Sequence, residues 1–520
     1  MRLGFASIYA YRPHVEHVYF LSTMMKSRGH EVFFLSCDSA LSECYTRELR
    51  DNSSSAKECM KCTMGGMRSF ASGSVDSMRR YRDPAGAAQA GDAAQQWGFS
   101  GACTILRTES PVDKQTEEFR GLHQRLATGA AEAFAAACRW IEDRRLDGIV
   151  CFNGRMEGPR ALLEAAKAKG IPFISVERTW FGDGLLLIPD QNCLALGEVG
   201  RVVGEYKDKP LTEAQARSVA SLLAARFLRT NTLEWRAYNR NAEDLDWPAQ
   251  SNGLKLLITP SSLNEFDGHP DWRTNWPNQI AALDFLFDHL DVDPASCILR
   301  CHPNWGETIG LRDGSLAERM YTEWARRRGV HIIGSGERAN TLGLIAQADA
   351  VVVNGGSAAF EAGALGKQVI ALGTSIYQTA GFQIRLYGPE DADNLSMVGK
   401  QNPDEIARQV LRFAYTFNFR FNQYVSDIRA RTTTQYVYNP TPDASRLERL
   451  LLTRRVEADD AEVASDAAGE DRVLTLLRER RWEELREAQK PIPEKYRPLQ
   501  RRGVFRYLDS IRERMPIGDR

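Results

Sequence analysis

The sequence lacks long apolar runs and a net charge of either sign. No window reaches eighteen consecutive apolar residues, so no membrane-spanning helix is expected. Lysine and arginine total 67 and aspartate and glutamate 68, a net charge of −1. This balance lacks the general positive charge of nucleic-acid-binding proteins, so no nucleic-acid partner is expected. The N-terminus lacks the apolar core and cleavage site of a signal peptide, which predicts a cytoplasmic protein.

The chain is long for a single core. With 520 residues, 43% of them hydrophobic, it is expected to form more than one soluble domain. Apolar strands alternate with helical segments through most of it, which predicts an α/β fold with parallel sheets. We place an N-terminal domain at 1–243 and a C-terminal domain at 254–435, joined by a linker near 244–253. A helical, basic tail is expected over 442–520.

The most informative stretch begins at Ile298 and ends at Tyr377. A short apolar strand ends in Arg300-Cys301-His302-Pro303. About forty residues later, the β-branched run Ala350–Val353 predicts a buried parallel strand. The turn Asn354-Gly355-Gly356 follows, and Ser357 stands at the N-cap position of a predicted helix. The pattern is that of a strand–helix–strand unit.

A glycine turn before a helix is suited to bind phosphate through backbone amides. A histidine and an arginine at the end of a neighbouring strand would add donors and positive charge. The alternative is that the glycines only let the helix pack on its strand. Taken together with Glu361, one turn into the helix, the elements favour a phosphate site.

Polar residues also follow strands in the N-terminal half. The predicted first strand leads into a loop and helix with His14, Glu16 and His17. The two histidines are either cleft residues or surface residues at a helix start. Asn153 and Arg155 follow the strand Gly148–Phe152, and Glu177 ends the next predicted strand. In an open α/β sheet, ligands bind at this carboxyl edge. The alternative for Arg155 and Glu177 is an ion pair that braces the edge.

Four of the ten cysteines lie close together in the sequence: Cys37, Cys44, Cys59 and Cys62. The Cys-x2-Cys spacing of the last two is typical of tetrahedral metal sites, so a structural zinc or an iron–sulfur cluster is predicted. Ordinary thiols in a long loop are the alternative. We expect the cysteine-rich insertion 37–101 to include a mobile excursion from about 69 to 101, because that part is rich in small residues.

The tail changes character along its length. Residues Glu457–Glu470 include six acids and no bases, which predicts a solvated linker. Residues 471–520 have fourteen basic and nine acidic residues, interleaved with aromatic residues. This pattern suits docking on an anionic membrane or on polysaccharide-assembly partners. The alternative is a helical appendage packed on the core.

The Arg-x-His-Pro element, the glycine–serine turn and Glu361 together resemble the capsule polysaccharide biosynthesis glycosyltransferases, which include bacterial Kdo transferases. The likeness is clearest from Leu256 to Tyr377 and does not cover the last seventy residues. It implies a GT-B-like fold, with two Rossmann-like domains facing a cleft and a nucleotide-sugar donor between them. It implies no catalytic divalent metal.

The resemblance and the strand-end pattern together assign roles. The predicted donor-binding residues are Arg300, His302, Gly355, Gly356, Ser357 and Glu361. The predicted catalytic residues are Glu265, Glu177 and His302, with Glu16 a third carboxylate that could act as the base. The predicted acceptor-side residues are His14, His17, Asn153 and Arg155.

The function expected from these roles is transfer of a sugar to a glycan or lipid-linked acceptor of a capsule, exopolysaccharide or O-antigen. The first choice of donor is CMP-linked Kdo or a related acid, with UDP and GDP donors open. The alternatives are a CDP-polyol phosphotransferase, a UDP-sugar epimerase, or a non-catalytic assembly factor that binds sugar nucleotides. Peripheral attachment to the inner membrane is an option for localisation.

Overall fold

Two six-stranded sheets form the frame of the protein. The computed structural model describes residues 1–50, 55–234, 238–248, 253–488 and 491–514. The strands are β1 (Arg2–Ser7), β2 (Glu31–Ser36), β3 (Val75–Ser77), β4 (Gly148–Phe152), β5 (Phe173–Arg178), β6 (Leu185–Pro189), β7 (Leu256–Thr259), β8 (Ile298–Arg300), β9 (His331–Ile333), β10 (Ala350–Val353), β11 (Gln368–Ala371), β12 (Gln383–Arg385), β13 (Ile428–Ala430) and β14 (Tyr436–Tyr438).

Helices cover the faces of both sheets. They are α1 (His14–Ser27), α2 (Tyr45–Arg50), α3 (Ser55–Gly65), α4 (Pro84–Gln89), α5 (Gly91–Leu106), α6 (Glu117–Arg144), α7 (Glu157–Ala168), α8 (Gly197–Tyr206), α9 (Glu213–Phe227), α10 (Gln279–Leu290), α11 (Ser315–Arg328), α12 (Thr341–Gln347), α13 (Ala358–Ala364), α14 (Pro403–Tyr415), α15 (Ser445–Thr453), α16 (Ala468–Arg478), α17 (Trp482–Leu485) and α18 (Val504–Arg514). A π-helical turn, Thr416–Phe421, follows α14.

Each large sheet has the strand order of a Rossmann-like domain. The N-terminal sheet runs β3-β2-β1-β4-β5-β6, and only β6 is antiparallel to its neighbour. The C-terminal sheet runs β12-β11-β10-β7-β8-β9 and is parallel throughout. The predicted fold, two Rossmann-like domains of GT-B-like type with a helical C-terminal appendage, is confirmed.

The strand register decides which loops meet. In the C-terminal sheet Val353 of β10 is level with Thr259 of β7 and with Ala371 of β11. All four residues of β10 are buried, as the valine run predicted, because helices cover both faces. The loops that follow these three strands therefore leave the sheet side by side, and their side chains meet at one edge.

The C-terminal part of the chain returns to the N-terminal domain. Leu185 of β6 exchanges backbone hydrogen bonds with Gln423, and the amide of Ala430 donates to Asp183 at 2.8 Å. After the π-helical turn, β13 pairs with β14 as an antiparallel hairpin. Of the predicted linker near 244–253, residues 249–252 lie outside the described residues, as do residues 235–237 before it.

The stretch from 69 to 101, predicted to be a mobile excursion, is ordered. It contains the edge strand β3, helix α4 and the first half of α5, which packs along α6. A Cβ atom placed on Gly98 would lie 2.8 Å from the backbone nitrogen of Ala127, so only glycine permits this close approach. The small residues that suggested disorder allow tight helix packing instead.

The tail packs on the core through its acidic and aromatic residues. Glu470 is fully buried, where its carboxylate accepts hydrogen bonds from Arg412 at 2.9 Å and from Arg408 at 3.0 Å. Trp482 stacks on Phe227 with ring centroids 4.1 Å apart. The prediction of a solvated linker is wrong at Glu470, because two arginines from α14 compensate the buried charge. Within the described residues, no helix is long and apolar enough to cross a membrane.

Candidate functional site

Five of the six predicted donor residues line one pocket at the carboxyl edge of the C-terminal sheet; Gly355 does not line it. Its volume is about 270 Å³. Thr259–Ser261 after β7, Arg300–Pro303 after β8 and Gly356–Ala358 after β10 form three of its walls, and Glu361 on α13 lies beside them. Segments that are far apart in sequence therefore converge, because their strands are neighbours in the sheet. The volume lies near the lower end for small-molecule sites.

The glycine turn is held in place by Asn354. Its side-chain oxygen accepts hydrogen bonds from the amide of Ser261 at 2.8 Å and from the Ser261 hydroxyl at 3.0 Å. Gly355 has a φ of 120°, a conformation that side chains disfavour, and a Cβ on Gly356 would lie 3.1 Å from that of Ser261. Ser357 occupies the predicted N-cap position, but its hydroxyl makes no capping bond. The turn is thus rigid and narrow.

His302 faces the pocket with a defined tautomer. Its Nδ1 accepts a hydrogen bond from the backbone amide of Asn304 at 3.1 Å. The neutral ring must then have its proton on Nε2, which makes Nε2 a donor. Tyr238 packs edge-on against the imidazole, with ring centroids 5.7 Å apart. Both contacts fix the direction of the ring.

Arg300 serves mainly to brace the wall of the pocket. Its guanidinium donates to the carbonyl oxygens of Gly334 at 2.5 Å and Glu337 at 3.0 Å. Burial lowers the pKa of this guanidinium. Arg300 was expected to add positive charge at the phosphate site, whereas these contacts describe a brace for the loop after β9.

Glu361 forms part of a buried ion cluster. Arg226 of α9 donates to it at 2.7 Å and to Glu234 at the same distance. Burial acts to lower the pKa of Arg226, but Glu234 and Glu361 raise it overall. The guanidinium also lies 4.7 Å from the ring centre of Trp180. Glu361 is therefore already engaged by an arginine, and its predicted donor-binding role stays a prediction.

The second group of candidates meets at the carboxyl edge of the N-terminal sheet. Asn153 has a φ of 65°, which turns its side chain toward Glu177, and its amide donates to that carboxylate at 3.0 Å. The side-chain oxygen of Asn153 accepts a hydrogen bond from the backbone amide of Arg155 at 3.0 Å. His14 Nδ1 lies 3.4 Å from Glu177 without forming a hydrogen bond. Four of the predicted residues, Asn153, Arg155, Glu177 and His14, thus lie together at this edge.

Arg155 lies near the interface between the domains. It donates to the hydroxyls of Ser100 at 3.0 Å and Thr104 at 2.9 Å, both on α5. Burial acts to lower its pKa, but the nearby carboxylate of Glu265, in the C-terminal domain, contributes most to raising it. Arg155 and Glu177, both among the described residues, form no ion pair with each other. The alternative that such a pair braces the sheet edge is therefore wrong. Asn153 mediates the contact instead.

His17 and Glu16 lie away from the cleft. His17 is fully buried: its ring packs edge-on against Tyr436 at 4.6 Å and its Nδ1 is 3.1 Å from the hydroxyl of Tyr438. Burial lowers the pKa of this histidine well below its usual range. Glu16 is buried against Arg12. The hairpin β13–β14 covers His17, so its predicted acceptor role is corrected.

Cys37, Cys44, Cys59 and Cys62 line one small cavity of about 30 Å³, beside the ends of β1 and β2. Burial raises the pKa of the Cys37 thiol to about 11. Within the described ranges, no three histidine, cysteine, aspartate or glutamate side chains are arranged to hold a metal ion. The sequence correctly grouped these cysteines, and metal binding stays a prediction.

Comparison with known proteins gives structural similarity only. No protein-family model matches the chain, and neither does any curated protein sequence. The β-Kdo 2,4 transferase KpsC of Thermosulfurimonas dismutans is 13% identical over 57% of this chain and 82% of its own, with a TM-score of 0.31. A Methanocaldococcus jannaschii UDP-GlcNAc 2-epimerase is 10% identical over 78% of this chain and 94% of its own, with a TM-score of 0.30. The glycosyltransferase SnogD of Streptomyces nogalater is 15% identical over 80% and 95%, with a TM-score of 0.23. Similarities this low do not say what the present chain binds or catalyses.

Sequence reasoning missed Arg226 and Glu109. Arg226 lies inside an amphipathic helix, where an arginine is normally solvent-facing, and only the tertiary structure shows that it is buried between two carboxylates. Glu109 lies in a loop after α5, and its Oε1 accepts from the amide of Leu263 in the other domain at 2.9 Å. Burial raises the pKa of Glu109 to about 7. No local pattern marks either residue.

Proposed function

We propose that the protein is a nucleotide-sugar-dependent glycosyltransferase that acts on a bacterial capsule, exopolysaccharide or O-antigen acceptor. The first choice of donor is CMP-linked Kdo or a related acidic sugar. The observation that supports this best is the pocket in which His302, the glycine turn and Ser357 converge at the domain interface. That arrangement suits a phosphate that leaves with negative charge.

The leaving phosphate would lie between His302 and the turn. The Nε2–H of His302 and the backbone amides of Gly356–Ala358 would donate hydrogen bonds to it, and such fixed donors stabilise charge that develops in the transition state. Because the Asn354 hydrogen bonds fix the turn beforehand, little reorganisation is needed when the phosphate departs. His302 would thus act on the leaving group.

Glu265 is the carboxylate that we assign as general base. It lies at the interface, close enough to Arg155 to raise the pKa of that guanidinium. Glu177, in contrast, already accepts hydrogen bonds from the Asn153 side chain and from the backbone amide of Arg178. Glu265 would take the proton from the acceptor hydroxyl as that oxygen attacks the sugar. Asn153 and Glu177 would then position the acceptor side of the site.

The donor site is tested by thermal unfolding of the purified protein with CMP, CDP, UDP or GDP. A ligand at a hundred times its Kd adds about 2.7 kcal/mol to the folded state, which is easily measured. We expect CMP to stabilise the wild type and not His302→Ala. His331→Ala is the matched control, since His331 is an exposed residue of the same sheet.

The outcomes separate the alternatives. Selective stabilisation by UDP or CDP would replace the CMP assignment, and product analysis would then separate transfer, which consumes an acceptor, from epimerisation, which does not. No response to any nucleotide would refute the donor site and favour a non-catalytic assembly factor.

We also propose that the protein attaches to an anionic membrane through α3 and α18. The segment just before α18 contacts α3, where Arg501 donates to the carbonyl of Met64 at 3.1 Å. Together the two helices expose five large apolar side chains: Met60, Met64, Val504, Tyr507 and Ile511. Three exposed bases lie among them: Lys57, Lys61 and Arg506. Exposed apolar side chains with exposed bases on the same two helices suit acidic lipid headgroups.

A further inference from the structure

Four of the ten cysteines form a cluster that the proposed reaction does not use. Cys37, Cys44, Cys59 and Cys62 line a cavity of about 30 Å³ beside the ends of β1 and β2. They come from three segments: the residue after β2, the residue before α2, and helix α3. This cavity and the donor pocket share no lining residue, so the chemistry of the cluster does not depend on the proposed function.

Two polar groups converge on the sulfur of Cys44. The Nε atom of Arg47 donates a hydrogen bond to Cys44 Sγ at 3.4 Å, and the hydroxyl of Thr46 lies 3.3 Å from the same sulfur. A second hydrogen bond, from Arg47 Nη2 to the carbonyl oxygen of Leu41 at 2.8 Å, holds the guanidinium in this position. The sulfur therefore has a positive charge and a hydroxyl fixed beside it.

The size of the cavity limits which reagents can reach this sulfur. A cavity of about 30 Å³ has room for a molecule about as large as water. Its wall includes Thr63 and Arg68, both of which are exposed, and Cys44 itself is 8% exposed. A small polar reagent can therefore enter from the surface, whereas a bulky disulfide such as oxidised glutathione cannot.

A hydroperoxide is the small reagent that these groups suit. When a sulfur attacks one oxygen of a hydroperoxide, the O–O bond breaks and negative charge develops on the other oxygen. The Arg47 guanidinium can stabilise this charge, and the Thr46 hydroxyl can orient the reagent at the sulfur. Both groups are already in place around Cys44, so little reorganisation is needed when the O–O bond breaks.

Cys62 is placed to complete the oxidation. The Thr46 hydroxyl, which contacts Cys44, also forms a hydrogen bond with the Cys62 thiol. Both sulfurs therefore lie within hydrogen-bond distance of one oxygen atom, on the wall of one small cavity. A sulfenic acid that forms beside a second thiol condenses with it to a disulfide. The cluster thus contains a thiol to be oxidised and a neighbour to react with the product.

We propose that Cys44 is a hydroperoxide-sensitive thiol whose oxidation ends in a disulfide with Cys62. In the first step the Cys44 sulfur attacks the hydroperoxide, the O–O bond breaks, and the thiol proton leaves on the departing oxygen as water or an alcohol. The sulfur is then a sulfenic acid. In the second step the Cys62 sulfur displaces its hydroxyl group, which leaves as water with the Cys62 proton. Two thiols thus lose two hydrogen atoms while the hydroperoxide is reduced, and the new bond joins the start of α2 to α3.

The test treats the reduced full chain with hydrogen peroxide and maps each cysteine by mass spectrometry. Trypsin with a glutamate-specific protease places the four cysteines on separate peptides, because Glu43 lies between the first two and Lys61 between the last two. We expect a disulfide between Cys44 and Cys62 in the wild type. In Cys62→Ser the sulfenic acid of Cys44 should persist and be trapped by dimedone. Cys138 is the internal reference, since it is more exposed than Cys44 but should react more slowly.

Two substitutions test the groups around the sulfur. Arg47→Leu should slow the oxidation of Cys44 about tenfold and Thr46→Val about fivefold, the effects of a charge-assisted and a neutral hydrogen bond. Arg120→Leu, at an exposed position of α6, should leave the rate unchanged. The thermal transition of each variant shows whether it is folded.

Three results would overturn the proposal. The first is oxidation of Cys138 as fast as that of Cys44, which would mean that exposure alone governs reactivity. The second is a rate at Cys44 that neither substitution lowers while both variants stay folded. The third is zinc that these cysteines bind and that blocks the oxidation, because sulfurs that hold a metal ion are not available to a peroxide. Since the test needs no nucleotide, its result is independent of the donor site.

Discussion

Glu109→Gln is expected to make the protein more tolerant of alkaline pH. In the wild type, the Oε1 atom of Glu109 accepts a hydrogen bond from the amide of Leu263, while Oε2 is buried without a partner. Burial raises the pKa of this carboxyl to about 7. The hydrogen bond from Leu263 and the positive charge of Lys114 both lower the pKa, but they do not cancel the effect of burial. Glutamine keeps an acceptor oxygen for Leu263 and cannot ionise.

Proton binding at Glu109 sets the direction in which the free energy of unfolding changes with pH. Between the ordinary glutamate pKa near 4.5 and about 7, the folded state binds more protons at Glu109 than the unfolded state does. The free energy of unfolding therefore falls as pH rises through this window and levels off above it. One pKa unit corresponds to about 1.4 kcal/mol, so the wild type should lose about 2–3 kcal/mol between pH 5 and pH 8 from this residue.

The assay is urea unfolding of the wild type and Glu109→Gln at pH 5 and pH 8, followed by tryptophan fluorescence. The cost of burying the new amide group is equal at both pH values. The difference in unfolding free energy between the two proteins therefore changes with pH only through ionisation of Glu109. The exposed Glu323→Gln on α11 is the control. If the difference in unfolding free energy between wild type and Glu109→Gln were the same at both pH values, the hypothesis that burial raises the pKa of Glu109 would be refuted.

Three further predictions concern the rest of the chain. Glu470→Ala should lower the free energy of unfolding by about 3–5 kcal/mol in urea titrations, because it leaves buried arginine charge on α14 uncompensated. Sedimentation with phosphatidylglycerol vesicles at low salt should retain the wild type, and Tyr507→Ser should weaken this retention, since Tyr507 is 73% exposed on α18. If the cysteine cavity binds zinc, elemental analysis should find about one equivalent in the purified protein and less in Cys59→Ser.

Each of these experiments has a matched control. Glu479→Ala removes an exposed acid just after α16 and should have little effect on unfolding. Leu452→Ser removes an apolar side chain that is 67% exposed on another face, and equal loss of vesicle binding in both variants would contradict the membrane assignment. Cys138→Ser changes a thiol outside the cavity. A wild type without bound metal would refute the predicted metal site.

The sequence alone determined the two sheets and the edges at which the predicted site residues gather. Val351–Val353 could only be a buried strand, and the glycine turn after it could only be a tight connection, because these properties depend on neighbouring residues. The alternation of strands and helices then places strand ends at a common edge. For this reason His302 and Ser357, and likewise Asn153 and Glu177, were correctly predicted to lie together.

Only the tertiary structure decided which of these side chains a ligand can reach. His17 looks like a cleft residue until the hairpin, more than four hundred positions later in the chain, covers it. Glu361 meets Arg226 from a helix 135 residues away, and Glu109 meets Leu263 across the domain interface. Burial and charge compensation depend on contacts between residues far apart in sequence, whereas periodicity and turn chemistry record only local preferences.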